Sequence, residues 1–246
     1  VILSLSLSLV ILNSVYTMLH SFSEDKFVEH RIATDFSVFD ASVDNPSLPS
    51  SSKNLSGVTD QFLADIKNQP GITELGNIRY ENTYQQFTEK EKKKIDSRLF
   101  EHPRFQSITC YGSPDLVKDI YREEKADVVM TYGLDEFVLA NIPIITGQFD
   151  MQKFQSGNYI LVNEYNMRLS ENEGSIPFFL PGDKITVRNN QGQEKEYEVM
   201  ATAELPYAFR LQQFSDLDIY YIFPTEEFQN FFGERNPMRC LFNVED

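Results

Sequence analysis

The sequence predicts an α+β protein: an N-terminal transmembrane helix, then a two-lobed extracytoplasmic domain with a βαβ-containing lobe and a β-rich lobe. Three observations predict it. Residues 1–23 contain no Asp, Glu, Lys or Arg. The stretch after them reads strand, helix, strand. From about residue 142 the pattern changes to short alternating runs bounded by turn residues.

The span comes first. An apolar helix needs about 20 residues to cross the hydrocarbon core, and VILSLSLSLVILNSVYTMLHSF supplies them without Gly or Pro. The Leu/Ser alternation at residues 3–9 also fits a strand, but the uncharged run is far longer than a strand needs. No small-residue cleavage site of a signal peptide stands before Glu24. In a helix, Ser4 and Ser8 share a face, and small residues at that spacing admit a neighbouring helix. Asn13 in lipid asks for a partner helix. The first charges, Glu24, Asp25 and Lys26, are mostly acidic, which places this flank outside the cytoplasm.

Residues 30–41 (HRIATDFSVFDA) alternate and read as a strand. Residues 44–56 are rich in Ser, Pro and Asn and read as a loop. Residues 57–69 carry Val58, Phe62, Leu63 and Ile66 at helical spacing, closed by Pro70-Gly71. Residues 72–87 predict a second strand, bent at Gly76, and 88–100 a polar helix. A short strand is expected at 105–111, and helices at 116–124 and 134–141. Further on, YILV (159–162) predicts a buried strand. Pro181-Gly182-Asp183 is a turn, and 184–188 with 196–202 a hairpin around Asn189-Asn190-Gln191-Gly192-Gln193. DIYYIF (218–223) is a strand, 225–232 a helix capped by Thr225, and 238–244 a last strand. The domains are thus 1–23, 24–141, 142–232 and 233–246.

Composition narrows the function. With 22 basic against 37 acidic residues the net charge is −15. Nucleic acid requires a positive field, so it is not an expected partner. The run Lys90, Lys92, Lys93, Lys94 is interleaved with Glu89, Glu91 and Asp96 and reads as a solvated helix face. Cys110 and Cys240 lack metal-ligand spacing; one disulfide and two buried thiols both remain open. There is no phosphate-binding Gly-x-x-x-x-Gly-Lys loop, no His-Glu-x-x-His and no Gly-x-Ser-x-Gly elbow. His20, His30 and His102 are scattered. No catalytic residue, cofactor or metal is expected.

The order of membrane helix, ATDFSVF strand and βαβ unit, followed by ITGQFDMQKFQSGNYILVNEYNMRL and LPGDKITVRNNQGQEKEYEVMATAEL, resembles the MacB-type extracytoplasmic core domain of FtsX-like ABC permeases. Gly147-Gln148-Phe149-Asp150 and Gly157-Asn158-Tyr159-Ile160-Leu161-Val162 stand where that family opens its second subdomain. Pro181-Gly182-Asp183-Lys184-Ile185 and Tyr197-Glu198-Val199-Met200-Ala201 fit its turn and following strand. Gln148 replaces the usual basic residue, and Ala201 and Ala203 stand where glycine is common. The Gram-positive branch, linked to peptide-antibiotic export or resistance, is nearest. The resemblance implies a bacterial cell-membrane permease subunit rather than an enzyme, partnered by an ABC ATPase and a second permease copy. It implies export or extrusion of a peptide antibiotic or lipid-like substrate. It also implies that 233–246 begins a returning βαβ half, so that the chain is truncated.

The residues expected to matter are therefore a mechanical junction: Ser21, Phe22, Lys26, Phe27 and Val28. Through it, movement of the membrane helix would reach the outer domain. The rival expectation is an extracellular ligand-sensing domain of a membrane receptor or histidine kinase. A secreted enzyme with an uncleaved signal is the third.

Overall fold

The computed structural model describes residues 34–39, 57–106, 127–166, 174–206, 209–210 and 219–245. The predicted span (1–23), the helix at 116–124 and Cys110 lie outside them. None of the described helices is long and apolar enough to cross a membrane.

The fold is α+β, built on one mixed sheet of nine strands. In chain order the elements are β1 (Phe36–Phe39), α1 (Asp60–Lys67), β2 (Ile72–Gln85) and α2 (Glu89–Ile95), which runs into a π-helical turn (Asp96–Phe100). Then come α3 (Pro103–Gln106), β3 (Asp127–Leu134), α4 (Glu136–Ala140), β4 (Ile144–Gly147), α5 (Met151–Phe154) and β5 (Tyr159–Val162). A two-stranded sheet of β6 (Glu164–Asn166) and β7 (Ser175–Pro177) follows. The hairpin β8 (Lys184–Arg188) and β9 (Glu194–Ala203), then β10 (Tyr220–Pro224), α6 (Thr225–Phe232) and β11 (Arg239–Val244) complete it.

The strand order is β1-β11-β2-β3-β10-β5-β9-β4, with β8 on β9. Both β1 and β2 run antiparallel to β11, which lies between them. The predicted strand–helix–strand unit is therefore split by the last strand. β3 and β10 pair in parallel, so strands from before and after residue 142 share this sheet.

Alternation along the strands feeds two cores on opposite faces. One holds Val129, Ile160, Val162, Ile185, Val187, Tyr197, Val199, Tyr221 and Phe223. The other holds Ile78, Tyr80, Met130, Tyr132, Leu161, Tyr220, Ile222 and Leu241. Buried Glu164 accepts hydrogen bonds from Thr146, Thr202 and Ser175, which fixes the small sheet to β4 and β9.

Several elements form where local chemistry dictates. Thr59 caps α1 by accepting from the Phe62 N–H, and Lys67 sits in its last turn. Thr88 and Glu91 form a reciprocal capping box on α2. In the basic run, Lys90 and Lys93 are exposed as expected. Lys94 turns instead to Asp183 at 2.6 Å, joined there by Arg98, so part of that face is an ion-pair tie to the β8 turn.

Other expectations need correction. β2 runs unbroken through Gly76: a Cβ there would meet Phe137 and Val138 at 2.7 Å, so this glycine admits α4 rather than bending the strand. Phe105 lies in a helical turn, not a strand. Pro103 suits a first helical position, and the Phe105 ring packs edge-on against Phe100 and Tyr165 at 5.4 Å. β3 was not foreseen, and it takes Leu134 from the predicted helix. Thr225 does not cap α6, whose cap position is Pro224; its hydroxyl donates to Asp135.

Candidate functional site at the β1–β11 sheet edge

The predicted junction residues Ser21, Phe22, Lys26, Phe27 and Val28, and the helix-packing residues Ser4, Ser8 and Asn13, all lie outside the described residues. The first described element that follows them is β1, so the candidate site is the edge where β1 joins the sheet.

β1 pairs with β11 in the register Phe36↔Phe242 to Phe39↔Arg239. The start of β1 therefore lies beside the end of β11. Side chains clasp the two. The Asp35 N–H donates to Asn243 Oδ1 at 3.2 Å, and the Val244 N–H donates to Asp35 Oδ2 at 2.9 Å. Asn243 Nδ2 donates onward to Glu74 Oε2 of β2 at 3.0 Å. Phe36 and Phe242 stack with centroids 5.4 Å apart, and the Arg239 guanidinium lies 4.8 Å from the centre of the Phe39 ring. The ladder supplies backbone hydrogen bonds, and the paired rings add about 0.5–1.5 kcal/mol.

The neighbouring connections are tied to the same strand. The Val58 N–H donates to the Pro237 carbonyl at 2.7 Å just before β11, and the Glu245 N–H donates to the Gly71 carbonyl at 2.7 Å just after it. Gly57 has φ +72°, and a Cβ there would lie 2.7 Å from Asn236 and Pro237. A side chain would push this loop off β11.

One strand inward, Asp135 gathers four donors. Oδ2 accepts from the Asn77 N–H at 3.0 Å and from Asn77 Nδ2 at 2.8 Å; Oδ1 accepts from Arg79 at 3.2 Å and from Thr225 at 2.5 Å. The carboxylate thus joins β2, the β3–α4 turn and the start of α6. The Arg79 side chain is 12% exposed and the Asp135 side chain 27%. Cys240, opposite Asn77 in the ladder, is buried and free of any disulfide. Burial, and secondarily the Asp135 charge, push its thiol up to about 11.

Chemically this edge is a set of hydrogen bonds, ring contacts and an ion pair that tie the strands together. The thiol is buried and its proton tightly held, which is the opposite of a nucleophile's setting. Among the described residues no three His, Cys, Asp or Glu side chains are grouped to hold a metal. The sequence pattern placed the expected junction at residues 21–28, outside the described residues, and did not single out Asp35, Asn243 or Asp135. The signal available was faint: polar residues at the ends of otherwise alternating strands. The Asp35–Asn243 pairing spans 208 positions, beyond any local pattern.

No protein-family profile matches the sequence, and no curated protein does. Among solved structures, the chain is similar to the extracellular domain of the noncanonic ABC-type transporter YknZ from Gram-positive bacteria. The identity is 10% over 77% of this chain and 74% of that one, with a TM-score of 0.40. It is also similar to the periplasmic region of MacB from Actinobacillus actinomycetemcomitans. There the identity is 10% over 85% of this chain and 74% of that one, with a TM-score of 0.45.

Proposed function

We propose that this chain is the extracytoplasmic domain of an ABC-transporter permease subunit, and that movement of an N-terminal membrane helix enters it through the β1–β11 edge. In this reading the chain makes and breaks no bonds. ATP is hydrolysed by a separate subunit, a second permease copy faces this one, and the domain stands outside the cell membrane.

The observation that carries the reading is the clasp of Asp35, Asn243 and Val244. It binds the start of β1 to the end of β11, and Glu74 extends it to β2. The uncharged segment 1–23 precedes this point by about ten residues. In this reading a displacement that reaches Asp35 meets a strand hydrogen-bonded into a nine-stranded sheet. Packed elements move as bodies rather than deforming continuously, so a small shift is passed on as a rotation of the sheet.

The test uses the whole permease with its ATPase in proteoliposomes. A six-residue Gly-Ser insertion after Val28 is expected to abolish transport while ATP hydrolysis continues. Transport at the unmodified rate would refute the coupling.

A further inference from the structure

The nine-stranded sheet has one narrow joint. Among the described ladders, β2–β3 matches eight residue pairs and β3–β10 five, but β10–β5 matches only two, Tyr221↔Val162 and Ile222↔Leu161. Past them the joint passes to a side chain: the Tyr220 N–H donates to Asn163 Oδ1 at 2.8 Å. Strands β1, β11, β2 and β3 lie with β10 on one side of this joint, and β5, β9, β8 and β4 on the other.

Helix α6 is tied to both sides. Thr225 and Glu227 are two positions apart in it, about 200° around the helix axis, so their side chains leave in opposite directions. The Thr225 hydroxyl donates to Asp135 Oδ1 at 2.5 Å and accepts from Arg79 at 3.4 Å, which ties the helix to β2 and the β3–α4 turn. Glu227 Oε1 accepts from Lys195 Nζ and from the Tyr197 hydroxyl of β9, each at 2.7 Å. Its Oε2 stands 2.6 Å from where a Cβ on Gly157, just before β5, would lie, and Lys195 also donates to the Gly157 carbonyl at 2.8 Å. At the far end of the helix, the Phe231 carbonyl accepts from Asn189 Nδ2 of the β8–β9 hairpin at 2.7 Å. Between these ties, Phe228 sits directly on Gly133 of β3.

We infer that α6 is a cross-brace over the β10–β5 joint: its tie at Asp135 and its tie at β9 are energetically coupled, so that a disturbance on the β2–β3 side is felt on the β5–β9 side. Chains of packed side chains and hydrogen bonds carry such coupling, and coupling between two sites is reciprocal. The brace deepens the transport reading and rests on it only for its use there: a shift entering at the β1–β11 edge would reach β9 without depending on two ladder pairs. The coupling itself is a property of the folded chain.

The experiment is a double-mutant cycle on the full chain in detergent, read by amide hydrogen exchange. Thr225→Val keeps the side-chain shape and removes the hydroxyl. It is expected to speed exchange of the β9 amides at residues 195–199 at least fivefold, although the hydrogen bonds it deletes go to Asp135 and Arg79. With Glu227→Gln already in place, the same change is expected to add less than twofold there. In return, Glu227→Gln alone is expected to speed exchange of the Asn77 N–H, which donates to Asp135 at 3.0 Å. Thr225→Ser restores a hydroxyl and is expected to exchange as the parent chain does. Where Thr225→Val does not fold, Thr225→Ala carries the same expectation. Acceleration confined to β2 and the β3–α4 turn, an additive cycle, or one common factor at every protected amide, the mark of a loss of global stability, overturns the brace. Those outcomes leave the coupling to a membrane helix standing, which the Gly-Ser insertion tests separately.

Discussion

Asp135→Ala removes the carboxylate on which β2, the β3–α4 turn and α6 converge. The magnitude follows from what is left behind. Arg79, 12% exposed, loses its charged partner, and the Asn77 N–H loses its acceptor. Removing one member of a largely buried ion pair costs about 3–5 kcal/mol. Asp135 itself keeps some contact with solvent, which places this case at the lower end. For a chain of this size each kcal/mol lowers Tm by about 2–4 °C, so a fall of roughly 6–12 °C is expected. Thermal unfolding of the full chain in detergent, followed by circular dichroism, measures the fall in Tm, and urea unfolding gives the loss in kcal/mol. Cys240 offers a second readout on the same variant. Its thiol, held up at about 11 chiefly by burial, is expected to stay unreactive toward iodoacetamide at pH 8 until β11 opens. Asp135→Ala is expected to speed that alkylation through more frequent opening, not by freeing the thiolate in the folded state. A loss below about 1 kcal/mol, the worth of one ordinary hydrogen bond, with unchanged alkylation, would show that Asp135 is not an anchor.

Two further outcomes test the packing. Asp183 is pushed up by burial, but hydrogen bonds from Arg98, the Leu180 N–H and Lys94 outweigh this and hold it below the usual carboxylate range. A depressed folded value means its contribution is complete above the unfolded carboxylate value of about 3.9 and is lost as pH falls through the folded value. Asp183→Asn should therefore destabilise the protein by about 1.5–3 kcal/mol at pH 7. The gap from the parent chain should close in unfolding curves below pH 4; a gap constant with pH would contradict this. Gly133→Ala places a Cβ 2.5 Å from the Phe228 ring, and overpacking of this kind costs about 1–3 kcal/mol. An unchanged unfolding midpoint would mean that α6 sits more loosely on β3 than described.

Legibility in the sequence followed the range of the forces. α1 was readable because the spacing of Phe62, Leu63 and Ile66 and the stop at Pro70-Gly71 act within a few residues; its cap, Thr59, emerged only in the structure. The β8–β9 hairpin and YILV were readable for the same reason. β3 was missed because DVVMTYGL follows the charged run REEKA and passes into a helix after the single residue Asp135, so no loop sets it off. Its identity as a strand comes from β2 and β10 on either side. Gly76 and Gly133 look like breakers in sequence and act as clearances for α4 and α6. Thr225 fits a cap by type, yet the nearby carboxylate of Asp135 takes its hydroxyl. The junction was expected from the membrane-helix signal alone, whereas the clasp of Asp35 with Asn243 and Val244 joins residues more than 200 positions apart, beyond any local pattern.

The position of β11 between β1 and β2 also has a biosynthetic side. Asp35 leaves the ribosome 208 residues ahead of Asn243. At ordinary elongation rates that is roughly 10–40 s. Throughout that interval β1 and β2 have no strand to bridge them, so the sheet edge closes last, after β10 and α6 have been made. Nascent chains halted before residue 239 should expose Phe36 and the outer side of β2 to chaperones, and release past Val244 should end that exposure in a single step.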